Sequence, residues 1–208
     1  IVTADIGEWH DIPDFFNELK KQIQEIYIIR GNHDGNLEAL LPESIRILPA
    51  TGTTLGEIGV FHGHRWPSPS LLKCKTLLMG HVHPIVVFRD PAGFRVTKQV
   101  WVKANCNRTQ LTKAILEKHK IKIENDPEET LQKHYRIRPK TSQLFIMPSF
   151  NDFLGGRPLN ERKSSGNEKS EKFIGPVLRS KAVDMENAET YLLDGTFLGT
   201  LNQLKILS

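Results

Sequence analysis

The chain has 208 residues, of which 38% are hydrophobic and 25% charged, and its formal net charge is +4. This length suits one large domain, and the composition excludes collagen-like, coiled-coil and low-complexity chains. No apolar run approaches the roughly 20 residues that a membrane-spanning helix needs. We therefore predict a cytoplasmic protein without a membrane partner. The two cysteines, Cys74 and Cys106, lack the CxxC spacing of zinc and redox sites, which predicts two buried free thiols.

The first residues predict a strand, a helix and a second strand. Residues 1–5 resemble the last residues of a buried strand that delivers Asp5 to a loop, so we expect the chain to begin inside its domain, without a first strand. Apolar residues recur every three or four positions over 11–25, which predicts an amphipathic helix. The apolar run 26–29 predicts a buried strand that ends at Gly31.

Three further strands are predicted in the first half of the chain, at 45–48, 58–61 and 76–79, after a short helix at 36–41. The second of these strands runs directly into His62, and the third ends at Gly80-His81. In open α/β sheets, ligands collect at the carboxyl ends of strands. We therefore expect these polar residues to meet at one edge of a sheet.

The second half of the chain predicts two hairpins and two irregular segments. Runs 84–88 and 94–102 predict the first hairpin, and 190–201, which turns at Asp194-Gly195, predicts the second. A strand is predicted at 144–148. Segment 107–140 carries nine Lys or Arg residues against five Asp or Glu residues, which predicts a charged surface insertion with a helix at 111–118. Residues 162–172 are polar and nearly devoid of apolar side chains, which predicts a mobile loop.

A set of oxygen and imidazole donors follows the predicted strands in chain order. The set comprises Asp5, Asn32, His62, His81 and His83, with His33 beside Asn32. A site for two Mn, Fe or Zn ions needs such ligands and a carboxylate that bridges the ions. Asn32 is informative, because an amide oxygen is an uncommon ligand beside histidine at the end of a strand.

The motifs Gly31-Asn32-His33-Asp34, His62-Gly63-His64 and Gly80-His81-Val82-His83 resemble, in this order, those of the calcineurin-like metallophosphoesterase superfamily. Residues 148–160 resemble the Pro-x-Phe-Asn segment of its small prokaryotic, mostly archaeal, branch related to double-strand-break-repair nucleases. The resemblance implies an α/β fold in which two mixed β-sheets form a sandwich flanked by helices, a four-layer αββα arrangement. It also implies two divalent metal ions, with Mn the first choice and Fe, Zn or Ni as alternatives.

The resemblance further implies a role for each residue of the motifs. Asp5 would bridge both ions, Asn32, His62 and His81 would complete the shell of the second ion, and His83 would bind the first. His33 would face the substrate phosphate as the catalytic residue, oriented by Glu8, and His64 and Arg65 would contact substrate. The implied reaction is hydrolysis of a phosphate ester, more often a diester, by a hydroxide that bridges the two metals.

The sequence departs from the family pattern at its start. Ala4 replaces the glycine before Asp5, and the Asp-x-His motif that supplies the first metal is absent from these residues. The alternative function is therefore a non-catalytic subunit that binds nucleic acid or acts as a scaffold, with a degenerate first metal site. Nucleic acid, cyclic nucleotides, phosphoproteins and small diesters all remain candidate substrates. The basic segment 107–140 is interpreted either as a solvated face or as a grip on nucleic-acid phosphates.

Overall fold

The computed structural model describes residues 8–35, 37–150, 155–161 and 175–205. Asp5 and the segment predicted as a mobile loop, 162–172, lie outside these residues. The helices are α1 Glu8–Gln22, α2 Arg108–Lys118, α3 Pro127–Tyr135, α4 Pro176–Arg179 and α5 Leu201–Leu204, with 3-10 helices at Leu37–Ala39 and Pro69–Lys73. The strands are β1 Tyr27–Ile29, β2 Arg46–Leu48, β3 Thr53–Leu55, β4 Ile58–Phe61, β5 Thr76–Met79, β6 Pro84–Arg89, β7 Arg95–Gln99, β8 Trp101–Cys106, β9 Gln143–Ile146, β10 Arg157–Pro158, β11 Val183–Tyr191 and β12 Phe197–Thr200.

Within the described residues, the strands form three sheets, which confirms the predicted α/β class with mixed sheets. The largest has seven strands in the order β12-β11-β8-β9-β5-β4-β3. A three-stranded sheet has the order β10-β6-β7, and β1 and β2 form a parallel pair. In the large sheet, β4, β5 and β9 run parallel to one another, so their carboxyl ends lie at the same edge.

Two hydrophobic clusters support these sheets. The larger cluster packs the seven-stranded sheet against α2, α3, α4 and α5, and it includes fully buried Leu77, Leu144 and Ile146. The smaller cluster joins α1 to the β1–β2 pair through Phe16 and Ile28, together with Leu37 and Ile45. The fold therefore has a small amino-terminal core beside a large one.

The charged segment 107–140 contributes to the large core. It forms two helices, α2 and α3, where the sequence predicted one. Leu111, Ile115, Leu116 and Leu131 are fully buried in the large cluster. Each helix begins at a side-chain cap: Asn107 accepts a hydrogen bond from the Gln110 amide, and Asp126 accepts from the Glu128 and Glu129 amides. The charged residues therefore cover the outer face of a segment whose inner face is apolar.

The predicted strand 94–102 is wrong as a single element, because it divides at Val100. β7 pairs with β6 in the three-stranded sheet, whereas β8 pairs with β9 and β11 in the large sheet. Val100 is fully buried at the division. Continuous β-forming residues carry no signal for a change of sheet, which explains the error.

Other expectations agree with the structure. The carboxy-terminal hairpin forms as predicted, with β11 and β12 antiparallel. Cys74 and Cys106 are free and buried. In the part of the chain that the structure describes, no helix combines the length and the apolarity needed to cross a bilayer.

Candidate functional site

The predicted site residues lie where strands end. Asn32 and His33 follow β1, His62 follows β4, and His81 and His83 follow β5. Backbone hydrogen bonds hold these loops side by side. The His62 amide donates to the Ala50 carbonyl over 3.3 Å, and the Gly80 amide donates to the His62 carbonyl over 3.0 Å. The edge of the sheet therefore fixes the spacing of the histidines.

Asn32 is the centre of the cluster. Its Oδ1 lies 3.1 Å from His62 Nε2 and 3.1 Å from His81 Nδ1. The rings of His62 and His81 are 5.2 Å apart, and the ring of His64 is 5.1 Å from that of His62. One amide oxygen and two imidazole nitrogens, each from a different loop, therefore converge on one point.

These three atoms fit the chemistry of a metal site. Ligand atoms about 2.1 Å from one ion and at right angles to each other lie about 3.0 Å apart, close to both observed separations. The donor types, imidazole and oxygen, are those that Mn, Fe and Zn accept. Among the residues described, no group of three or more His, Cys, Asp or Glu side chains is placed to hold a metal. Asn32 completes the set of three donors here, and the predicted carboxylate ligand, Asp5, lies outside the described part of the chain.

The histidines of the cluster are kept neutral. Burial, then the nearby His81 and His64, lower the pKa of His62 to about 3. Burial, then His64 and His83, lower the pKa of His81 to about 4. Burial also lowers the pKa of His83, with a contribution from His33. Neutral imidazole has the lone pair that metal binding requires, so these three imidazoles are in that form at pH 7.

Two of the histidines have unusual backbone conformations. His81 has φ of 68° and His83 has φ of 49°, both in the left-handed region. Side-chain-bearing residues in this region are strained by roughly 1–2 kcal/mol, and such residues cluster at functional sites. The two left-handed residues flank Val82, which is buried in the large core. The turn thus anchors its middle residue and leaves both imidazoles at the surface of the site.

The loop that carries Asn32 and His33 is held by Gly31 and Asp34. Asp34 is buried, and its Oδ2 accepts a hydrogen bond of 2.7 Å from the Gly31 amide. A Cβ atom at position 31 would lie 2.8 Å from His62 Cε1, so only glycine lets the loop approach the imidazole this closely. Asp34 Oδ1 is buried and has no hydrogen-bond partner within the described residues.

The cluster opens on a cleft of about 930 Å³, here called the histidine cleft. Asn32, His33, His62, His81 and His83 all line it. The lining also includes apolar side chains, namely Ile12, Phe15, Phe16, Met147, Pro148 and Phe150. Phe150 is 95% exposed at this cleft. The cleft thus joins a polar histidine surface to an apolar wall.

Five predicted site residues line the histidine cleft together, namely Asn32, His33, His62, His81 and His83. His64 and Arg65, predicted to contact substrate, line a second cleft of about 620 Å³ rather than the histidine cleft. The side chain of Glu8, predicted to orient His33, is outside the described residues, although its backbone begins α1. Burial, then Arg65, lower the pKa of His64, whereas Asp34 acts in the opposite direction.

The histidine cleft contains residues that the sequence did not single out as site residues. Ser149 and Arg157 line it, Ser149 just after β9 and Arg157 in β10. The strand predicted before Ser149 could have indicated this residue, because β9 is parallel to β5 and ends at the same edge of the sheet. Asn160, at the end of the segment 148–160, is fully buried, accepts a hydrogen bond from the Val87 amide and donates one to the Val87 carbonyl.

Comparison of the chain with protein-family models, with curated proteins and with solved structures gave no match. The resemblance carried by the three motifs therefore stays a prediction.

Proposed function

We propose that this chain is a metal-dependent phosphoesterase of the calcineurin-like type, which hydrolyses phosphate esters and prefers diesters. The observation that supports the proposal most directly is the convergence of His62 Nε2 and His81 Nδ1 on Asn32 Oδ1, each over 3.1 Å. Three different strand ends supply these donors. The proposal includes the αββα arrangement, in which the three-stranded and seven-stranded sheets would form the two central layers.

In this proposal, Asn32, His62 and His81 hold one divalent ion, and His83 with Asp5 contributes to the other. Bound divalent ions would supply Lewis-acid activation of water and neutralise charge on the phosphoryl oxygens. The protein keeps the imidazoles neutral, since burial lowers the pKa values of His62 and His81. No side-chain nucleophile is required.

His33 is the residue proposed to act on the substrate. It lines the histidine cleft on the loop that Gly31 and Asp34 hold in place. It lines the same cleft as His81 and His83, and it contributes to lowering the pKa values of both. From this position, we expect its imidazole to give a proton to the leaving oxygen or to stabilise charge in the transition state.

The lining of the histidine cleft supports an ester with an organic substituent on the leaving group. Phe15, Phe150 and Pro148 provide an apolar wall beside the histidines, and Arg157 provides a cation. A phosphodiester presents a single negative charge between two organic groups, and this composition suits it. A bare phosphate would leave the apolar wall without a contact.

The experiment measures metal content and hydrolysis together on the full-length protein. With Mn²⁺, we expect hydrolysis of bis(p-nitrophenyl) phosphate that EDTA abolishes. His33→Ala should lower kcat by about 10²- to 10⁴-fold and leave the metal content unchanged, because the residue acts on a proton and binds no metal. His81→Ala should lower the metal content itself. His134→Ala is the control, because His134 lies exposed on α3.

Three outcomes would count against the proposal. Folded protein that binds no Mn²⁺ would contradict the metal site, and unchanged metal content in His81→Ala would contradict the ligand assignment. Protein that binds Mn²⁺ but hydrolyses no ester would favour the non-catalytic subunit instead.

A further inference from the structure

The second cleft is basic and is not part of the proposed metal site. It has a volume of about 620 Å³, and its lining includes Arg65, Lys118, Arg179, His119, Trp66 and Ser68. We call it the basic cleft. His64 lines it, and the ring of His64 is 5.1 Å from that of His62 in the histidine cluster. The two clefts thus lie near each other but have separate linings.

Three cationic side chains reach the basic cleft from three separate elements. Arg65 lies in the loop after β4, Lys118 in the last turn of α2, and Arg179 in the last turn of α4. No Asp or Glu occurs among the described residues that line the cleft. Nearby like charges such as those of Arg65 and Lys118 repel each other, and a bound anion relieves that repulsion.

Elsewhere on the described surface, basic residues often have acidic partners. Examples are Arg95 with Glu161 and Arg108 with Glu128, at 3.1 and 2.9 Å. Arg65 and Lys118 are exposed and form no ion pair within the described residues. Arg65 and Lys118 therefore bring to the basic cleft two positive charges that no described acidic side chain pairs with.

The dipole of α2 explains the position of Lys118 at the basic cleft, but it does not explain that of Arg65. A lysine in the last turn of a helix interacts favourably with the carbonyl end of the helix dipole. Lys118 has this position in the last turn of α2. Arg65 belongs to no helix, and its guanidinium group is a bidentate donor that suits phosphate. Arg65 is thus the residue for which a ligand is the best explanation.

We infer that the basic cleft binds the phosphate group of a nucleotide, supplied either by a free mononucleotide or by a single-stranded oligonucleotide. Arg65, Lys118 and Arg179 provide the charge for the phosphate. Trp66 packs partly on the large core and also lines the cleft, which gives a base a flat apolar surface to stack on. The cleft volume lies within the roughly 300–1,000 Å³ that small-ligand sites occupy.

This inference does not depend on the proposed hydrolysis, so binding is tested without metal. Fluorescence anisotropy in EDTA would follow a labelled single-stranded oligothymidylate, with AMP and inorganic phosphate as competitors. Arg65→Gln and Arg179→Gln should each weaken binding by about tenfold or more at low salt, since each removes a charge-assisted hydrogen bond to phosphate. Displacement by AMP at lower concentration than by phosphate would identify a mononucleotide as a ligand. Displacement only by unlabelled oligonucleotide would identify the strand.

Two control variants make the result specific. Lys113→Gln removes an exposed charge from the same helix as Lys118 but outside both clefts, and Lys133→Gln removes an exposed charge from α3, also outside both clefts. Each should change affinity less than about twofold. Losses in these controls equal to that of Arg65→Gln would overturn the inference, because general surface charge would then explain binding. Absence of binding by the wild-type protein would overturn it as well.

A second measurement serves if an arginine variant fails to fold. In an NMR titration of the wild-type protein with AMP, the indole N–H signal of Trp66 should shift, whereas that of Trp101 should not. The Trp66→Phe variant identifies the first signal. A shift confined to other residues would contradict the assignment of the cleft.

Discussion

His83 illustrates how a single residue combines a side chain for chemistry with a strained backbone. We predict that His83→Gly is more stable than His83→Ala by about 0.5–1 kcal/mol. Both variants lose the imidazole, but only alanine keeps a Cβ atom at φ of 49°. The relief of roughly 1–2 kcal/mol of strain exceeds the roughly 0.4–1 kcal/mol that glycine adds to the entropy of the unfolded chain.

Urea denaturation of the two His83 variants measures this difference. The control is the same pair of substitutions at Lys113, which lies in α2. There the order should reverse, because glycine destabilises a helix by about 1 kcal/mol relative to alanine. If His83→Ala were more stable than His83→Gly by about 0.4–1 kcal/mol, the left-handed backbone would store no strain.

The depressed pKa values of His62 and His81 predict how stability depends on pH when no metal is bound. An unfolded histidine takes up a proton near pH 6.5, whereas these two take one up only near pH 3 and pH 4 in the folded chain. Between these values the unfolded state binds more protons. The free energy of unfolding should therefore fall as the pH is lowered from about 6.5 towards 4.

Thermal unfolding in EDTA at several pH values tests this dependence. His62→Gln should lose less stability than the wild-type protein between pH 7 and pH 5, because one of the titrating groups is gone. His134→Gln, which alters an exposed histidine outside the site, should follow the wild-type curve. A His62→Gln curve parallel to that of the wild type would contradict the assignment.

At the scale of elements, a substitution in α2 tests whether segment 107–140 belongs to the core. Leu116 is fully buried, so Leu116→Ala should lower the free energy of unfolding by about 2–5 kcal/mol. Leu193 is 58% exposed, and Leu193→Ala should change it by less than about 0.5 kcal/mol. Urea denaturation distinguishes the two. A small effect of Leu116→Ala would indicate that segment 107–140 lies on the surface, as its charge predicted.

The positions of β4, β5 and the site loops could be predicted from the sequence, because short apolar runs stop at polar motifs. A sheet then places the ends of its parallel strands together. It could not locate the break at Val100 or the second helix, α3. At Val100 the residues on both sides favour a strand, so only the pairing partner changes. In α3, four of nine residues are charged or histidine, and the burial of Leu131 depends on the sheet beneath it. The left-handed backbone of His81 and His83 likewise depends on tertiary structure.

For the whole molecule, the two cores predict unequal local stability. The small core joins α1 to a pair of three-residue strands, whereas the large core supports seven strands. Hydrogen exchange should therefore be faster in β1 and β2 than in β5, β8 and β9. Added Mn²⁺ should slow exchange at β1, because Asn32 extends from the small core and His62 and His81 from the large one.

Hydrogen–deuterium exchange measured by mass spectrometry, with and without Mn²⁺, checks both the difference between the two cores and the effect of Mn²⁺ at β1. The His81→Ala variant is the control, since it should show the same difference between the cores and no effect of Mn²⁺ at β1. Equal exchange rates in the two regions would mean that the protein opens as a single unit.

The contacts of Asn32 also set an order for assembly during synthesis. The asparagine is made 30 residues before His62 and 49 before His81. Moreover, β9, which pairs with β5, begins at Gln143, about 60 residues after β5 ends. The core of the α1–β1–β2 unit joins Phe16, Ile28, Leu37 and Ile45, so it can form while the large sheet is still being made. The three donor atoms therefore meet late, and a nascent chain released before β9 would carry all three residues without the sheet that aligns them.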